Sequence, residues 1–259
     1  MSFNYKRVLL VGATAGIGAA MADKLILEGI KVIAVGRRQE RLDEFTGLAL
    51  MRSLKGVQRP FQLSRPAQVD LDSFHDEMDI NFSRHVDLSI KFLPHLLQKP
   101  FPTALIFTGS LLAAVPAVMV PAYSASKAAL TAYVSCLRRQ HPKSSTKIIE
   151  VWPPLVQSKP SPFLNLSQLL NTPSLPLANN INRLTTPPGE LHDYMGKEAR
   201  EMGIPVDVFT EQAWVQLAAG SELVMVGELG AGEGYEEMMR LRNGLFDALS
   251  DRMMTRFEL

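Results

Sequence analysis

Residues 7–18 read Arg-Val-Leu-Leu-Val-Gly-Ala-Thr-Ala-Gly-Ile-Gly, and this stretch decides the fold. Its first five residues form an apolar run that is typical of a buried strand. An apolar pattern at helical spacing follows over 16–28 and stops at Gly29, a residue type that commonly ends helices. A second strand is predicted over 31–35, so the segment is a β-α-β unit with parallel strands and a right-handed crossover.

The rest of the chain continues the alternation of strands and helices. Further strands are predicted over 104–107, 147–152 and 222–226, and helices over 70–98, 123–139, 209–219 and 235–254. This order predicts a doubly wound parallel sheet of the α/β class, in a single domain over 1–259. Residues 157–205 are rich in Pro, Ser, Asn and Leu without clear periodicity, and we expect them to form a lid or substrate loop.

The glycine-rich turn between the first strand and the first helix is typical of dinucleotide binding. Glycine lets the turn close tightly and lets backbone N–H groups approach a pyrophosphate, which the N-terminus of the helix then attracts. The pattern is weak by itself, and a plain tight turn is the alternative. The candidate cofactor residues here are Gly12, Thr14, Ala15, Gly16, Ile17 and Gly18.

Two arginines at the end of the second strand favour NADP(H) over NAD(H). An acidic residue about 20 positions after the turn would bind a ribose 2′-hydroxyl. This sequence instead has Arg37 and Arg38 after Gly36, and the planar guanidinium suits a 2′-phosphate. The alternative is a solvated charge cluster with Glu40 and Arg41.

Tyr123 and Lys127 are separated by four positions at the start of a predicted helix, so their side chains share one face. A free tyrosine has a pKa of about 10, and a neighbouring cation lowers it by favouring the phenolate. The pair is therefore predicted to exchange a proton with a carbonyl or an alcohol. Most Tyr-x-x-x-Lys pairs are simply an exposed helix face, so the weight of this one comes from its surroundings.

Together these motifs resemble the short-chain dehydrogenase/reductase family. The resemblance spans residues 6 to about 158 and, more loosely, 206–228, and it includes Ser110, thirteen positions before Tyr123 (123 − 110 = 13), and Asn81 in Asp-Ile-Asn-Phe. The runs Phe-Leu-Pro-His-Leu-Leu and Val-Pro-Ala-Tyr-Ser-Ala-Ser-Lys, with Pro153-Pro154, resemble a subgroup associated with D-alanine esterification of teichoic acid, which has fungal relatives.

The resemblance implies a Rossmann fold and a division of roles at the site. Tyr123 would be the general acid, Lys127 would bind the nicotinamide ribose, and Ser110 would orient the substrate oxygen. Asn81 would support a water relay to the lysine. Pro153 and Val156 would line the nicotinamide side. The implied reaction is hydride transfer between NADP(H) and a carbonyl or alcohol substrate.

One part of the chain departs from the family pattern. The fourth strand normally ends in Asn-Asn-Ala-Gly, but here Leu54 and Lys55 precede Gly56, eleven positions after Phe45 (56 − 45 = 11). We therefore predict that residues 48–53 take the place of the fourth strand beside the first, since an empty place would leave backbone groups unpaired. The adenine side of the cofactor pocket is expected to be more open.

Composition excludes several other classes of protein. The net charge of +1 without a basic cluster argues against nucleic-acid binding, and no apolar stretch is long enough for a membrane helix. The single Cys136, expected to be buried, and the absence of a signal-peptide pattern favour a cytoplasmic protein. No metal site is expected from the histidines. These are His75, His85, His95, His141 and His192.

Two further expectations concern partners and an alternative function. A homodimer or homotetramer would form through 70–98 and 122–140. Val86, Ile90 and Leu93 are a candidate outer stripe, and burial of these residues in the core is an equal alternative. The alternative to a redox enzyme is a non-redox protein on the same fold. Such a protein would sense a nucleotide or serve as a scaffold for cyclisation or rearrangement in secondary metabolism, and the shortened cofactor half is what favours it.

Overall fold

The computed structural model consists of parallel sheets flanked by helices, as the β-α-β pattern predicted. It describes residues 3–36, 48–49, 71–118, 120–142, 144–157, 203–227 and 234–257. The strands are β1 (Arg7–Val11), β2 (Lys31–Val35), β3 (Leu48–Ala49), β4 (Thr103–Thr108), β5 (Thr146–Trp152) and β6 (Leu223–Met225). The helices are α1 (Gly16–Leu27), α2 (Leu71–Met78), α3 (Arg84–Leu97), α4 (Pro121–Gln140), α5 (Val206–Ala219) and α6 (Gly234–Phe257).

The first compact unit contains residues 1–61 and 155–220 and carries the glycine-rich turn. Its strands lie in the order β1-β2-β3, all parallel, with Arg7 beside Lys31 and Val11 beside Val35. Helix α1 packs against β2 and α5. Its apolar face contributes to a small core. The core residues are Ala22, Leu25, Ile30 and Val32, with Phe3, Val8, Leu10, Met21 and Trp214 packed against them.

Strand β3 corrects the prediction for residues 48–53. Leu48 pairs with Ile33 of β2, so this segment extends the sheet beyond β2, at the place of a third strand, and not beside β1. The reason is the short connection after Gly36, because strands that are consecutive along the chain usually become neighbours. Residues 50–53 lie outside the described part. Within the described residues β1 pairs only with β2, and Leu9 and Val11 are 40% and 51% exposed.

The second compact unit contains residues 62–154 and 221–259. Its strands are also parallel and lie in the order β4-β5-β6, with Thr103 beside Thr146 and Glu150 beside Leu223. Helices α3 and α4 cover the sheet. The core between them consists of Leu93, Phe107, Leu130, Val134, Leu137 and Ile148.

The long helix predicted over 70–98 is divided by a wide turn. Helix α2 ends at Met78, a single π-helical turn occupies Asp79–Ser83, and α3 begins at Arg84. A turn of this kind is common at functional sites, and it contains the candidate relay residue Asn81. Pro94 lies within the last turns of α3, as its position in the sequence indicated.

Side-chain exposure corrects two smaller expectations. Cys136 is exposed on α4, not buried as expected. Leu93 belongs to the core, whereas Ile90 is 63% exposed, so the outer stripe predicted for an oligomer is incomplete. No helix in the described segments has the length and apolar character to cross a bilayer. The same segments contain no group of potential metal ligands. The single-domain organisation and the oligomeric state stay predictions.

Candidate functional site

The first turn of α4 brings the predicted tyrosine and lysine together. Pro121 occupies the start of this helix, where its fixed φ and missing N–H favour helix initiation. Tyr123 and Lys127 then follow one turn apart, and the Lys127 Nζ lies 5.6 Å from the centroid of the Tyr123 ring. The phenol and the ammonium group therefore lie on the same side of the helix, as the four-residue spacing predicted.

Ser110 reaches the same tyrosine from the end of β4. Its hydroxyl forms a hydrogen bond with the Tyr123 phenol and also accepts the Leu112 N–H at 3.1 Å, which starts a short 3-10 turn. The Ala117 N–H donates to the Ser124 Oγ at 3.2 Å and so ties the segment before α4 to its first turn. The structure thus assembles Ser110, Tyr123 and Lys127 as one cluster.

Lys127 is a buried cation with a fixed direction. Its side chain is 6% exposed, and its Nζ donates a hydrogen bond to the Thr108 carbonyl at 2.8 Å. Burial lowers the pKa of Lys127 to about 8, and the Glu150 carboxylate acts in the opposite direction. The ammonium form is therefore available at neutral pH, but its proton is held less firmly than in water.

The pKa of Tyr123 is shifted opposite to the direction predicted from its pairing with Lys127. Burial raises the pKa of Tyr123, the hydrogen bond with Ser110 lowers it, and the Glu77 carboxylate raises it. The loss of hydration outweighs the benefit of a cation whose hydrogen bond goes to Thr108. Tyr123 therefore keeps its proton at neutral pH, which suits a general acid.

Asn81 is carried by the wide turn between α2 and α3, and this turn packs against α4. The adjoining helices bring two further titratable groups toward the cluster. Glu77 is buried on α2 and faces Tyr123, and His85 lies half-buried on α3 near Lys127. Burial, and then the positive charge of Lys127, lower the pKa of His85 to about 4, so it is neutral at physiological pH.

Glu150 belongs to this environment but was not predicted from the sequence. It lies 2% exposed in β5, and its carboxylate accepts a hydrogen bond from the Thr131 hydroxyl at 2.7 Å. The signal that could have revealed it was one charged residue inside the otherwise apolar run Ile-Ile-Glu-Val-Trp. Such a residue is almost never fully buried without a partner, so its position was itself informative.

The glycine-rich turn of the first unit is open to a ligand. Gly12 and Gly16 have φ values of +84° and +51°, and a Cβ added at either would meet no heavy atom within 4 Å. At Gly18 an added Cβ would lie 2.2 Å from the Gly12 carbonyl oxygen, so only glycine fits. The N-terminus of α1 has no side-chain cap and no acidic residue in its first turn. These features fit a bound pyrophosphate.

The other candidate cofactor residues lie at several different places in the structure. Thr14 lies against Gly36, where an added Cβ would be 2.3 Å from the Thr14 methyl group, and Ala15 precedes the first residue of α1. Pro153 is buried directly after β5, and Val156 forms an isolated parallel bridge with Ile204. Arg37 and Arg38 lie outside the described residues, as does nearly all of 157–205.

Comparison with known proteins identifies a family that this chain matches. The family model for short chain dehydrogenases matches residues 6–50 and 56–165. An uncharacterized oxidoreductase, DltE of Bacillus subtilis, is 29% identical over 189 residues, which cover 61% of this chain and 74% of that protein. A fatty acyl-CoA reductase of Acinetobacter baylyi is 27% identical, over 59% of this chain and 63% of its own length.

Two solved structures share the fold of this chain. A short chain dehydrogenase from Burkholderia cenocepacia, in complex with NADP, has a TM-score of 0.59 at 19% identity and covers 99% of both chains. A bulky-bulky ketone specific alcohol dehydrogenase from Comamonas testosteroni has a TM-score of 0.65 at 16% identity and covers 94% of both. At these identities the likeness concerns the fold alone.

Proposed function

The chain belongs to the short-chain dehydrogenase family, and from this premise we propose that it is an NADP(H)-dependent oxidoreductase acting on a carbonyl or alcohol substrate. The observation that carries the proposal is the convergence of Ser110, Tyr123 and Lys127 on one buried cluster. The three residues come from the end of a strand and the start of a helix. Ser110 forms a hydrogen bond with the Tyr123 phenol, and the Lys127 ammonium lies beside the Tyr123 ring. An ordinary exposed helix face would not leave a lysine only 6% exposed.

The cluster has the parts needed to move a proton at a substrate oxygen. A bound nicotinamide would supply or accept the hydride. In the reducing direction the Ser110 hydroxyl would donate a hydrogen bond to the carbonyl oxygen, and the Tyr123 phenol would deliver the proton. The Lys127 ammonium would then stabilise the phenolate that remains. Asn81, in the turn packed on α4, would hold water that returns a proton toward Lys127.

The cofactor assignment has support from the first unit. The open turn at Gly12 and Gly16 and the uncapped start of α1 suit a pyrophosphate. The preference for NADP(H) over NAD(H) is proposed from Arg37 and Arg38, since their planar guanidinium groups suit a 2′-phosphate. The NADP bound to the short chain dehydrogenase from Burkholderia cenocepacia is consistent with this choice.

The test combines cofactor titration with a matched pair of tyrosine variants. We expect NADPH to bind at micromolar concentration and more tightly than NADH. Tyr123→Phe should reduce the turnover of a panel of carbonyl compounds at least a hundredfold, because general acid catalysis contributes roughly 10²–10⁴-fold. The control is Tyr133→Phe, which removes a hydroxyl from the same helix, where it contacts the Ser89 hydroxyl at 2.6 Å. Equal turnover in the two variants would contradict the proposal.

A second candidate function rests on the correction at β3. Residues 48–49 extend the sheet beyond β2, and the described part shows no second partner strand for β1. The short stretch between Phe45 and Gly56, where the family pattern is longer, is what favours a non-redox protein that binds a nucleotide or holds a substrate for cyclisation. Under that function NADPH would show no binding in the same titration, while a substrate of another class would still bind at the Tyr123 cluster.

A further inference from the structure

A buried carboxylate lies beneath the proton-transfer cluster. Glu150 is in the middle of β5, opposite Phe107 of β4, and both its neighbours along the strand are buried and apolar. Removing a carboxylate from water costs several kcal/mol unless other groups compensate for the lost hydration. A leucine or valine would pack in this core without that cost, so the presence of an ionisable side chain here requires an explanation.

The contacts of Glu150 lead to the two elements that carry the site. Its carboxylate accepts the Thr131 hydroxyl at 2.7 Å, and Thr131 is one helical turn beyond Lys127, on the same face of α4. On the side of β4, a Cβ built on Gly109 would lie 2.5 Å from the Glu150 Oε1, so the residue before Ser110 approaches the carboxylate closely. Glu150 is thus enclosed by the backbone that presents Ser110 and by the helix face that presents Lys127.

We propose that Glu150 is a positioning residue, the buried countercharge that keeps the Lys127 side chain in its ammonium form and thereby sets the pH range in which Tyr123 transfers protons. The effect of Glu150 on Lys127 is a property of the protein alone, whereas its effect on the pH range of proton transfer rests on the proposed function. Glu150 would act through Lys127 and would not touch the substrate.

Among the charged groups around Lys127, Glu150 is the one whose negative charge favours the ammonium form. The Lys127 Nζ is bound to a neutral carbonyl, that of Thr108. His85 on α3 opposes the ammonium when protonated, but burial lowers the pKa of His85 to about 4, so this repulsion is absent at neutral pH. Glu77 on α2 acts on Tyr123. Glu150 is the group whose charge raises the pKa of Lys127.

Burial works against the charged form of Glu150, and four neighbouring groups favour it. Burial raises the pKa of Glu150, and this is opposed by the Thr131 hydroxyl, the Trp152 indole and the charges of Arg138 and Lys127. Tyr235 of α6 also senses the carboxylate, but its pKa is raised to about 12, chiefly by burial, so it carries no charge in the working range. The direction of the effect follows: without the Glu150 charge, the pKa of Lys127 falls below about 8.

The decisive experiment measures the protonation of Lys127 directly. The full chain is labelled with ¹³C-lysine, the Cε signal of Lys127 is assigned by its loss in Lys127→Met, and its pH titration is compared between wild type and Glu150→Gln. An opposite charge at close range shifts a pKa by about 1–3 units. We expect Glu150→Gln to lower the Lys127 titration midpoint by at least about one unit. An unchanged midpoint in a folded variant overturns the proposal.

Two threonine variants separate this effect from a general loss of packing. Thr131→Val removes the hydroxyl that donates to Glu150 and should lower the Lys127 midpoint in the same direction, by less. Thr103→Val removes a buried hydroxyl that contacts Thr146 at 2.8 Å at the other end of β4 and β5, and should leave the midpoint unchanged. If Glu150→Gln fails to fold, the test is the comparison of the Lys127 titration midpoint between Thr131→Val and Thr103→Val. Equal midpoints in these two variants reject the proposal.

A second readout keeps this inference distinct from the proposed function. In an active wild type, the alkaline limb of the pH profile for carbonyl reduction should move to lower pH in Glu150→Gln and return toward its original position in Glu150→Asp. If the wild type shows no turnover but the Lys127 midpoint still shifts in Glu150→Gln, the proposed function is rejected and this inference is not. If the wild type is active but neither the Lys127 midpoint nor the pH profile of carbonyl reduction changes in Glu150→Gln, this inference is rejected and the proposed function is not.

Discussion

At the scale of single residues, the site depends on a close approach that only glycine permits. A Cβ at Gly109 would lie 2.5 Å from the Glu150 carboxylate and 2.6 Å from the Trp152 ring, and both of these side chains are buried. An added Cβ would therefore have to displace two side chains that are enclosed in the core. Gly109 therefore lets the end of β4 lie close to the side chains of β5, in the position from which Ser110 forms its hydrogen bond with Tyr123.

Replacement of Gly109 tests this approach. Gly109→Ala should lower the free energy of unfolding by about 1–3 kcal/mol, the usual cost of overpacking a core, and should reduce turnover by displacing Ser110. The matched control is Gly244→Ala, since Gly244 lies in α6 and an added Cβ would meet nothing within 4 Å. The control should gain about 0.5–1 kcal/mol from helix propensity. Urea unfolding measures both, and a neutral Gly109→Ala would contradict this role of Gly109.

At the scale of elements, the division of the long helix into α2, a wide turn and α3 determines which groups face the cluster. The turn over Asp79–Ser83 contains more residues per turn than an α-helix, so the side chains after it are rotated relative to those before it. As a result, Glu77 faces Tyr123 from α2, while His85 approaches Lys127 from α3.

The burial of His85 on α3 predicts a pH dependence of stability. The pKa of His85 is about 4 in the folded protein, against an ordinary value of 6.5, so between these values the unfolded chain binds a proton that the folded chain does not. Stability from this group is complete above pH 6.5 and is lost as the pH falls toward 4. The loss amounts to at most about 3 kcal/mol.

The measurement compares His85→Gln with wild type by urea unfolding at neutral pH and at a pH between the two pKa values. The variant should lose less stability between the two conditions, because it lacks the group that takes up the proton on unfolding. His95→Gln, at an exposed position of the same helix, controls for the replacement itself. The same loss in His85→Gln and wild type would show that His85 does not contribute.

The elements themselves were largely predictable from the sequence. Strands β1, β2 and β5 and helix α1 agree with their predicted bounds within a few residues, because apolar periodicity and glycine signals are local. The neighbour of β3 was not predictable in this way. A two-residue strand contains no periodicity, and its place depends on which strand edge its connection reaches.

At the scale of the whole molecule, each compact unit is built from two separate stretches of chain. The unit with the glycine-rich turn takes 1–61 and 155–220, and the unit with the Tyr123 cluster takes 62–154 and 221–259. If one unit unfolded alone, the other would have to close a long flexible loop, which carries an entropic cost. This connectivity favours the single cooperative domain predicted from the sequence.

The two tryptophans provide one reporter for each unit. Trp214 packs on Phe3 in the first unit with ring centroids 5.0 Å apart, and Trp152 is 1% exposed in the second. Trp152→Phe leaves Trp214 to report unfolding of the first unit, and Trp214→Phe leaves Trp152 to report unfolding of the second. We expect the urea midpoints of the two variants, measured by fluorescence, to differ only by the change in stability that each substitution causes. Far-UV circular dichroism of each variant is the control, because its midpoint must coincide with that variant's fluorescence. Distinct transitions within one variant would contradict a single domain.

Local chemistry in the sequence determined the β-α-β unit, the glycine-rich turn and the one-turn spacing of Tyr123 and Lys127, since each depends only on residues close together along the chain. The tertiary structure alone decided the charges that act on that pair. Glu77, His85 and Glu150 reach it from three other elements. Burial, which no local pattern encodes, raises the pKa of Tyr123 and lowers the pKa of Lys127, because dehydration penalises whichever form is charged.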